Sequence, residues 1–158
     1  MKIVVISDNH GRVEPLQEIL QYHQDADVFI HCGDSELPVE YLSGYVAVRG
    51  NNDFYAELPD YRVLDLGEHR ILVAHGHRLM FLDNRELLVN KAKSLDCDIV
   101  CFGHTHVFES RCIDNIYLVN PGSISRNRDG SAPCYAIITI EGDSIDIERK
   151  EYVLGCKF

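Results

Sequence analysis

Short apolar runs punctuate this chain, and each ends on a polar residue of a restricted kind. Ile3-Val4-Val5-Ile6 leads into Ser7-Asp8-Asn9-His10, and Val28-Phe29-Ile30 leads through His31-Cys32 to Gly33-Asp34. Val46-Ala47-Val48 precedes Arg49-Gly50-Asn51, Ile71-Leu72-Val73-Ala74 precedes His75-Gly76-His77, and Ile99-Val100-Cys101-Phe102 precedes Gly103-His104-Thr105-His106. Hydrophobicity that is continuous rather than alternating predicts strands covered on both faces. Between them, Pro15 to Tyr22 has proline near a helix start and helical apolar spacing. Asp83 with Glu86 resembles a capping box opening a helix through about Leu95. Arg62 to Leu66 and His69 to Ala74 read as a hairpin around Gly67. After His106 the pattern turns to strands over 107–112, 115–119, 135–140 and 145–153. A chain that begins β-α-β and finishes β-rich predicts two packed sheets with helices outside, in one domain spanning residues 1–158.

Ligands of open α/β sheets sit at the carboxyl ends of the strands. The five runs would therefore gather Asp8, His10, Asp34, Asn51, His75, His104 and His106 at one rim. Read separately, Asp8 and Asp34 could be turn or helix caps and Asn51 a turn residue. Together they form a donor set of carboxylate, amide and imidazole suited to Mn, Fe, Zn, Ni or Co rather than Ca or Mg. Seven donors exceed the need of one tetrahedral zinc, which favours two metals sharing a carboxylate.

Composition narrows the function classes. Hydrophobic residues make up 46% and charged residues 25% of the 158, ordinary for a globular chain. A formal charge of -10 argues against a general nucleic-acid binder, which needs clustered Lys and Arg. The first apolar run is too short for a signal-peptide core and nothing later reaches membrane-spanning length, so the expected location is cytoplasmic, with no membrane partner. The six cysteines (32, 97, 101, 112, 134, 156) form no C-x-x-C pair and are expected to be reduced packing residues.

"SDNHG", "GD" at 33–34, "GNND" at 50–53, "HGH" at 75–77 and "GHTH" at 103–106 occur in the order found in the calcineurin-like metallophosphoesterases. The length and the trailing "NPGS" at 120–123 resemble the small YfcE-type phosphodiesterases. The resemblance implies an α/β fold, a four-layer α/β/β/α sandwich of two packed mixed sheets flanked by helices. It implies that Asp8, His10 and His106 hold one divalent transition-metal ion, manganese first in order, and that Asn51, His75 and His104 hold a second. Asp34 would bridge the two. Two such ions would polarise a phosphate ester and acidify a bridging water, so no Ser or Cys nucleophile is required. Asp34, Asn51 and His77 are the candidate catalytic positions; Asn52, Ser123 and Arg128 are candidate substrate contacts, with Arg126 a rival to Arg128. The expected partner is a small phosphate ester, a diester in preference to a monoester, and a homo-oligomer is left open.

Larger members of that family carry histidine where this chain has Asn52, and an amide cannot act as a general acid. Asp53 is expected to orient a ligand imidazole or to cap a turn. His77 either touches phosphate or supports a ligand, and His23, His31 and His69 are read as surface or core residues. The alternative function is a non-catalytic interaction module, for which the retromer subunit of this fold is the precedent. A metallo-β-lactamase motif fails after His106, where Val107-Phe108 follow, and a histidine-phosphatase motif fails because His75 follows Ala74.

Overall fold

The computed structural model describes residues 1–54 and 56–155. Five strands form the first sheet: β1 (Lys2–Ile6), β2 (Val28–His31), β3 (Val46–Ala47), β9 (Cys134–Glu141) and β10 (Ser144–Glu151), in the order β10-β9-β1-β2-β3. The second sheet holds β4 (Tyr61–Asp65), β5 (Arg70–Ala74), β6 (Ile99–Cys101), β7 (Phe108–Ile113) and β8 (Ile116–Pro121), in the order β4-β5-β6-β8-β7. Both sheets are mixed. Strands β1, β2 and β3 run parallel, with Ile3 opposite Val28 and Ile30 opposite Val46, and β5 runs parallel to β6 with Ile71 opposite Ile99.

Alternation within each apolar run produces the layers. Ile3 and Val5 of β1 face Ile71, Val73, Ile99 and Cys101 of the other sheet across the central core. Val4 and Ile6 point outward onto Leu16 and Ile19 of helix α1 (Glu14–Tyr22). Leu72 and Val100 point the opposite way, onto Leu88, Val89 and Ala92 of helix α2 (Glu86–Ser94). This is the α/β/β/α sandwich, and it explains why the strands read as unbroken apolar runs.

The hairpin expectation holds: β4 pairs β5 antiparallel, and Leu66 N–H donates to the His69 carbonyl. The capping box at Asp83 does not form. Helix α2 starts at Glu86, and its preceding residue, Arg85, offers no side-chain cap. A turn intervenes, in which Asn84 N–H donates to the Phe81 carbonyl and Asn84 Oδ1 accepts the Glu86 N–H. Arg85 itself is buried, with its guanidinium 2.9 Å from Glu109. Cys32, Cys97, Cys101 and Cys134 are buried free thiols as expected, whereas Cys112 is exposed and does not pack; Cys156 lies outside the described residues. Among the described residues, no helix is long and apolar enough to cross a membrane.

Candidate metal centre

The strand ends of the two sheets meet at one rim because backbone and side chains cross between them. His75, just after β5, has Nδ1 2.8 Å from the Cys32 carbonyl beyond β2. His104, in the loop after β6, donates its backbone N–H to Asp8 Oδ2 at 3.1 Å, beyond β1. Such approach requires missing side chains. A Cβ at Gly103 would overlap the Ser7 hydroxyl and lie 2.7 Å from Asp8 Oδ2, and one at Gly50 would overlap the Asp34 carboxylate. Asp8, His10, Asp34, His104 and His106 all adopt positive φ, between 44° and 71°. Left-handed backbone is uncommon outside glycine, and its concentration here means that the surrounding fold holds these residues against a local preference.

Two clusters result, Asp8 with His10 and His106, and Asp8 with Asp34 and His75, each with its ligand atoms within 4.8 Å of one another. Asp8 Oδ1 lies 3.2 Å from His106 Nε2, 3.8 Å from His10 Nε2 and 4.0 Å from His75 Nε2. His75 Nε2 is 3.4 Å from Asp34 Oδ2 and 2.9 Å from Asn51 Oδ1, and His104 Nδ1 is 3.1 Å from the same Asn51 oxygen. All seven residues expected as ligands are thus brought together. By distance Asp8 is common to both clusters, whereas the resemblance gives the shared role to Asp34.

Protonation of the imidazoles follows from their outer partners. His106 Nδ1 faces the Arg126 carbonyl at 3.0 Å, His10 Nδ1 faces Glu36 Oε1 at 3.1 Å, and His75 Nδ1 faces a carbonyl as above. Each acceptor calls for a proton on Nδ1, which for His10 and His106 leaves an Nε2 lone pair aimed inward; His75 Nε2 instead faces Asn51 and Asp34 oxygens, and despite its burial the Asp34 hydrogen bond and the Asp8 charge hold its pKa above the usual histidine value. His10 Nε2 and His106 Nε2 then stand 3.0 Å apart, lone pair against lone pair. Asp8 Oδ1 is buried there with no hydrogen-bond partner. Electron-rich atoms converging without donors are mutually repulsive unless a cation stands among them, so the residues fit divalent metal.

The charge states agree. Burial opposes ionisation of Asp8, but the His106 imidazole, the charge of His75 and the Ser7 hydroxyl outweigh it and hold its pKa below the usual value. Asp34 behaves alike: burial is outweighed by His75 and by the Asn52 backbone and side-chain amides, and its pKa falls far below the ordinary carboxylate range. Burial and the nearby charge of His75 push His104 and His77 below the usual histidine value, which keeps both neutral with lone pairs to offer.

The remaining expected residues divide. Asn52 donates from both backbone N–H and Nδ2 to the Asp34 carboxylate, each at 2.9 Å. His77 stands beside the centre, its ring 5.4 Å from that of His75, with a buried Nδ1 lacking a partner. Arg128 and Arg126 are exposed and line a hollow with His10 and His106. Ser123 corrects the expectation of a substrate contact: it is fully buried, donates to the Asp8 carbonyl at 2.8 Å and accepts the Ser125 and Arg126 N–H groups, so it fixes the loop instead. Asp53 is a turn anchor; its carboxylate accepts the N–H groups of Asp34, Glu36 and Gly50 and meets no imidazole. Sequence reasoning missed Glu36, Ser7, Asn9 and Asn120, which orient the ligand-bearing loops. Ser7, Asn9 and Asn120 lay inside the motif blocks, while nothing marked Glu36.

Comparison with known proteins bears on the family and the fold. The family described as Calcineurin-like phosphoesterase superfamily domain matches residues 1–143. The chain is 38% identical over 150 residues to the Probable metallophosphoesterase YsnB of Bacillus subtilis, covering 93% of this chain and 89% of that one. The crystal structure of a predicted phosphoesterase from Streptococcus pneumoniae superposes with a TM-score of 0.89 at 32% identity, over 98% of this chain and 93% of that one. A Vps29 structure from Entamoeba histolytica shares the fold at 23% identity, with a TM-score of 0.75 over 97% of this chain and 100% of that one.

Proposed function

Because the chain belongs to the calcineurin-like phosphoesterase superfamily, we propose that it is a two-metal phosphoesterase acting on small phosphodiesters. The buried, donorless Asp8 Oδ1 amid inward-facing imidazole lone pairs carries this reading. Asp8, His10 and His106 would hold one divalent ion and Asn51, His75 and His104 a second, with Asp34 as the shared carboxylate; manganese would suit the mixed oxygen and nitrogen set. The chemistry such ions would supply there is positive charge beside the phosphate and acidification of a water near neutral pH.

The protein's own residues do the positioning. Glu36 and the Arg126 carbonyl fix the rings of His10 and His106, and the Cys32 carbonyl fixes His75. Asn52 orients the Asp34 carboxylate. Asn52 has no acidic proton to give, and His77, whose ring lies 5.4 Å from that of His75, is held below the usual histidine value, so a departing alkoxide is left chiefly to water. Arg128, with Arg126 beside it, supplies positive charge facing the substrate. A diester suits the site better than a monoester because hollows open on both sides of the centre, one beside His10 and His106 and one beside Asn51 and His77.

The test is hydrolysis of bis(p-nitrophenyl) phosphate and p-nitrophenyl phosphate by protein loaded with Mn²⁺. The reading expects the diester to have the higher kcat/KM; a clear monoester preference removes the diester assignment, and no turnover of either removes the enzyme.

A further inference from the structure

The surface around the centre is uneven, and the unevenness bears on what the two ester arms are; the inference rests on the phosphodiesterase reading above. Beside His10 and His106, a hollow of about 540 Å³ is lined by Ser125, Arg126, Asn127 and Arg128. Among the described residues neither of these exposed guanidinium groups is held by a carboxylate, whereas Arg49, Arg70, Arg85 and Arg149 all are. In a chain of formal charge -10, two unpaired arginines at the rim are a local anion-attracting point. Their planar forks match the oxygens of a phosphate.

The other side is different. Phe54 is 77% exposed. It walls two adjoining hollows, one of about 440 Å³ with Leu37, Pro38, Val39 and Ala56, the other of about 340 Å³ with Arg49, His77 and Arg78. Arg49 is paired with Asp60 at 2.7 Å and the exposed Arg78 shares that carboxylate at 3.8 Å, so this side sets a largely apolar wall at Phe54 beside two cations that a carboxylate already engages. Both hollows join the centre directly. Asn51 lines one and sits 2.9 Å from His75; Asn52 lines the other and donates to Asp34. An exposed ring two residues beyond Asn52 and three beyond Asn51 is placed to stack on an aromatic group of the substrate.

We propose that the substrate is a nucleotide-like diester with two unlike arms: an aromatic ring stacked on Phe54, and a second phosphate held by Arg126 and Arg128. The ring enters the apolar side and the extra anion enters the arginine side, which fixes the direction in which the scissile bond lies across the centre.

Two matched probe pairs test it on the manganese-loaded protein. Methyl phenyl phosphate and dimethyl phosphate, whose leaving groups are too poor for rapid turnover, serve as competitive inhibitors that differ only in the ring. Wild type should bind the phenyl ester ~10-fold more tightly; Phe54→Ala should abolish that preference and Phe54→Tyr should keep it. Thymidine 5′-(p-nitrophenyl phosphate), with and without a 3′-phosphate, tests the other arm. The 3′-phosphate should raise kcat/KM by ~10-fold or more, and Arg126→Ala/Arg128→Ala should erase the advantage. Equal inhibition by the two simple diesters, or a 3′-phosphate preference that survives loss of both arginines, overturns the proposal while turnover of the chromogenic ester upholds the diesterase. If wild type turns over neither thymidine ester, the diesterase reading fails and this inference fails with it.

Discussion

His31 should make this protein measurably weaker in mild acid. Its ring is completely buried; Nε2–H donates to Asn9 Oδ1 at 2.8 Å while Nδ1 accepts the Gly33 N–H at 3.0 Å, so the neutral form is fully satisfied. Burial pushes its pKa down to about 4, against 6.5 in an unfolded chain, despite the opposing charges of Asp8 and Asp53. A depressed histidine pKa means that the unfolded chain binds more protons between those values, so stability rises with pH across that window and is lost as pH falls below 6.5 toward 4. Evaluating the linkage at the two ends gives a loss of about 2 kcal/mol between pH 7 and pH 5 from this one residue. Urea unfolding of chelated protein at the two pH values measures it. His31→Gln keeps one donor and one acceptor but cannot titrate, and every other group is common to both proteins. Wild type should therefore lose about 2 kcal/mol more than the variant over that interval; parallel losses would refute the assignment of a neutral, buried His31.

Asp34→Asn should damage activity more than any other conservative single change, because the charge lost sits among His75 and the Asn52 amides at the heart of the site; metal per chain should fall toward one or zero by elemental analysis. Gly103→Ala should keep the fold and lower metal content, since its Cβ collides with Ser7 and Asp8, at a cost in chelated-protein stability of about 1–3 kcal/mol. Log kcat/KM plotted against leaving-group pKa should slope steeply for wild type, since Asn52 offers no proton. A shallow slope that Asn52→His leaves unchanged would show that another acid serves, and His77 would be the residue to replace next.

Much of this was legible in the chain. Strands buried on both faces write themselves as unbroken apolar runs, and β1, β2, β5 and β6 were visible for that reason. Their termini carry Asp, Asn and His in motifs dense enough to mark the rim. What escaped was what depends on partners distant in sequence. Asp83 had the spacing of a helix cap, but Arg85 is drawn down by Glu109 on β7, and the turn ahead of it displaces the helix start. Ser123 had the polarity of a substrate contact, yet the loop folds its hydroxyl inward onto the Asp8 carbonyl. Asp53 serves three backbone N–H groups, two of them 17 or more residues away, and no local pattern announces that. Glu36 holds His10 across a separation of 26 residues.

Metal content and diester turnover of one protein sample, stripped with chelator and then titrated with Mn²⁺, test the two-metal phosphodiesterase most directly. Stripped protein should be folded and inactive, and turnover of bis(p-nitrophenyl) phosphate should return as the bound metal approaches two ions per chain. Turnover that survives complete removal of metal, or a protein that binds two ions and hydrolyses nothing, would contradict it, the second result pointing instead to a non-catalytic module on the same fold.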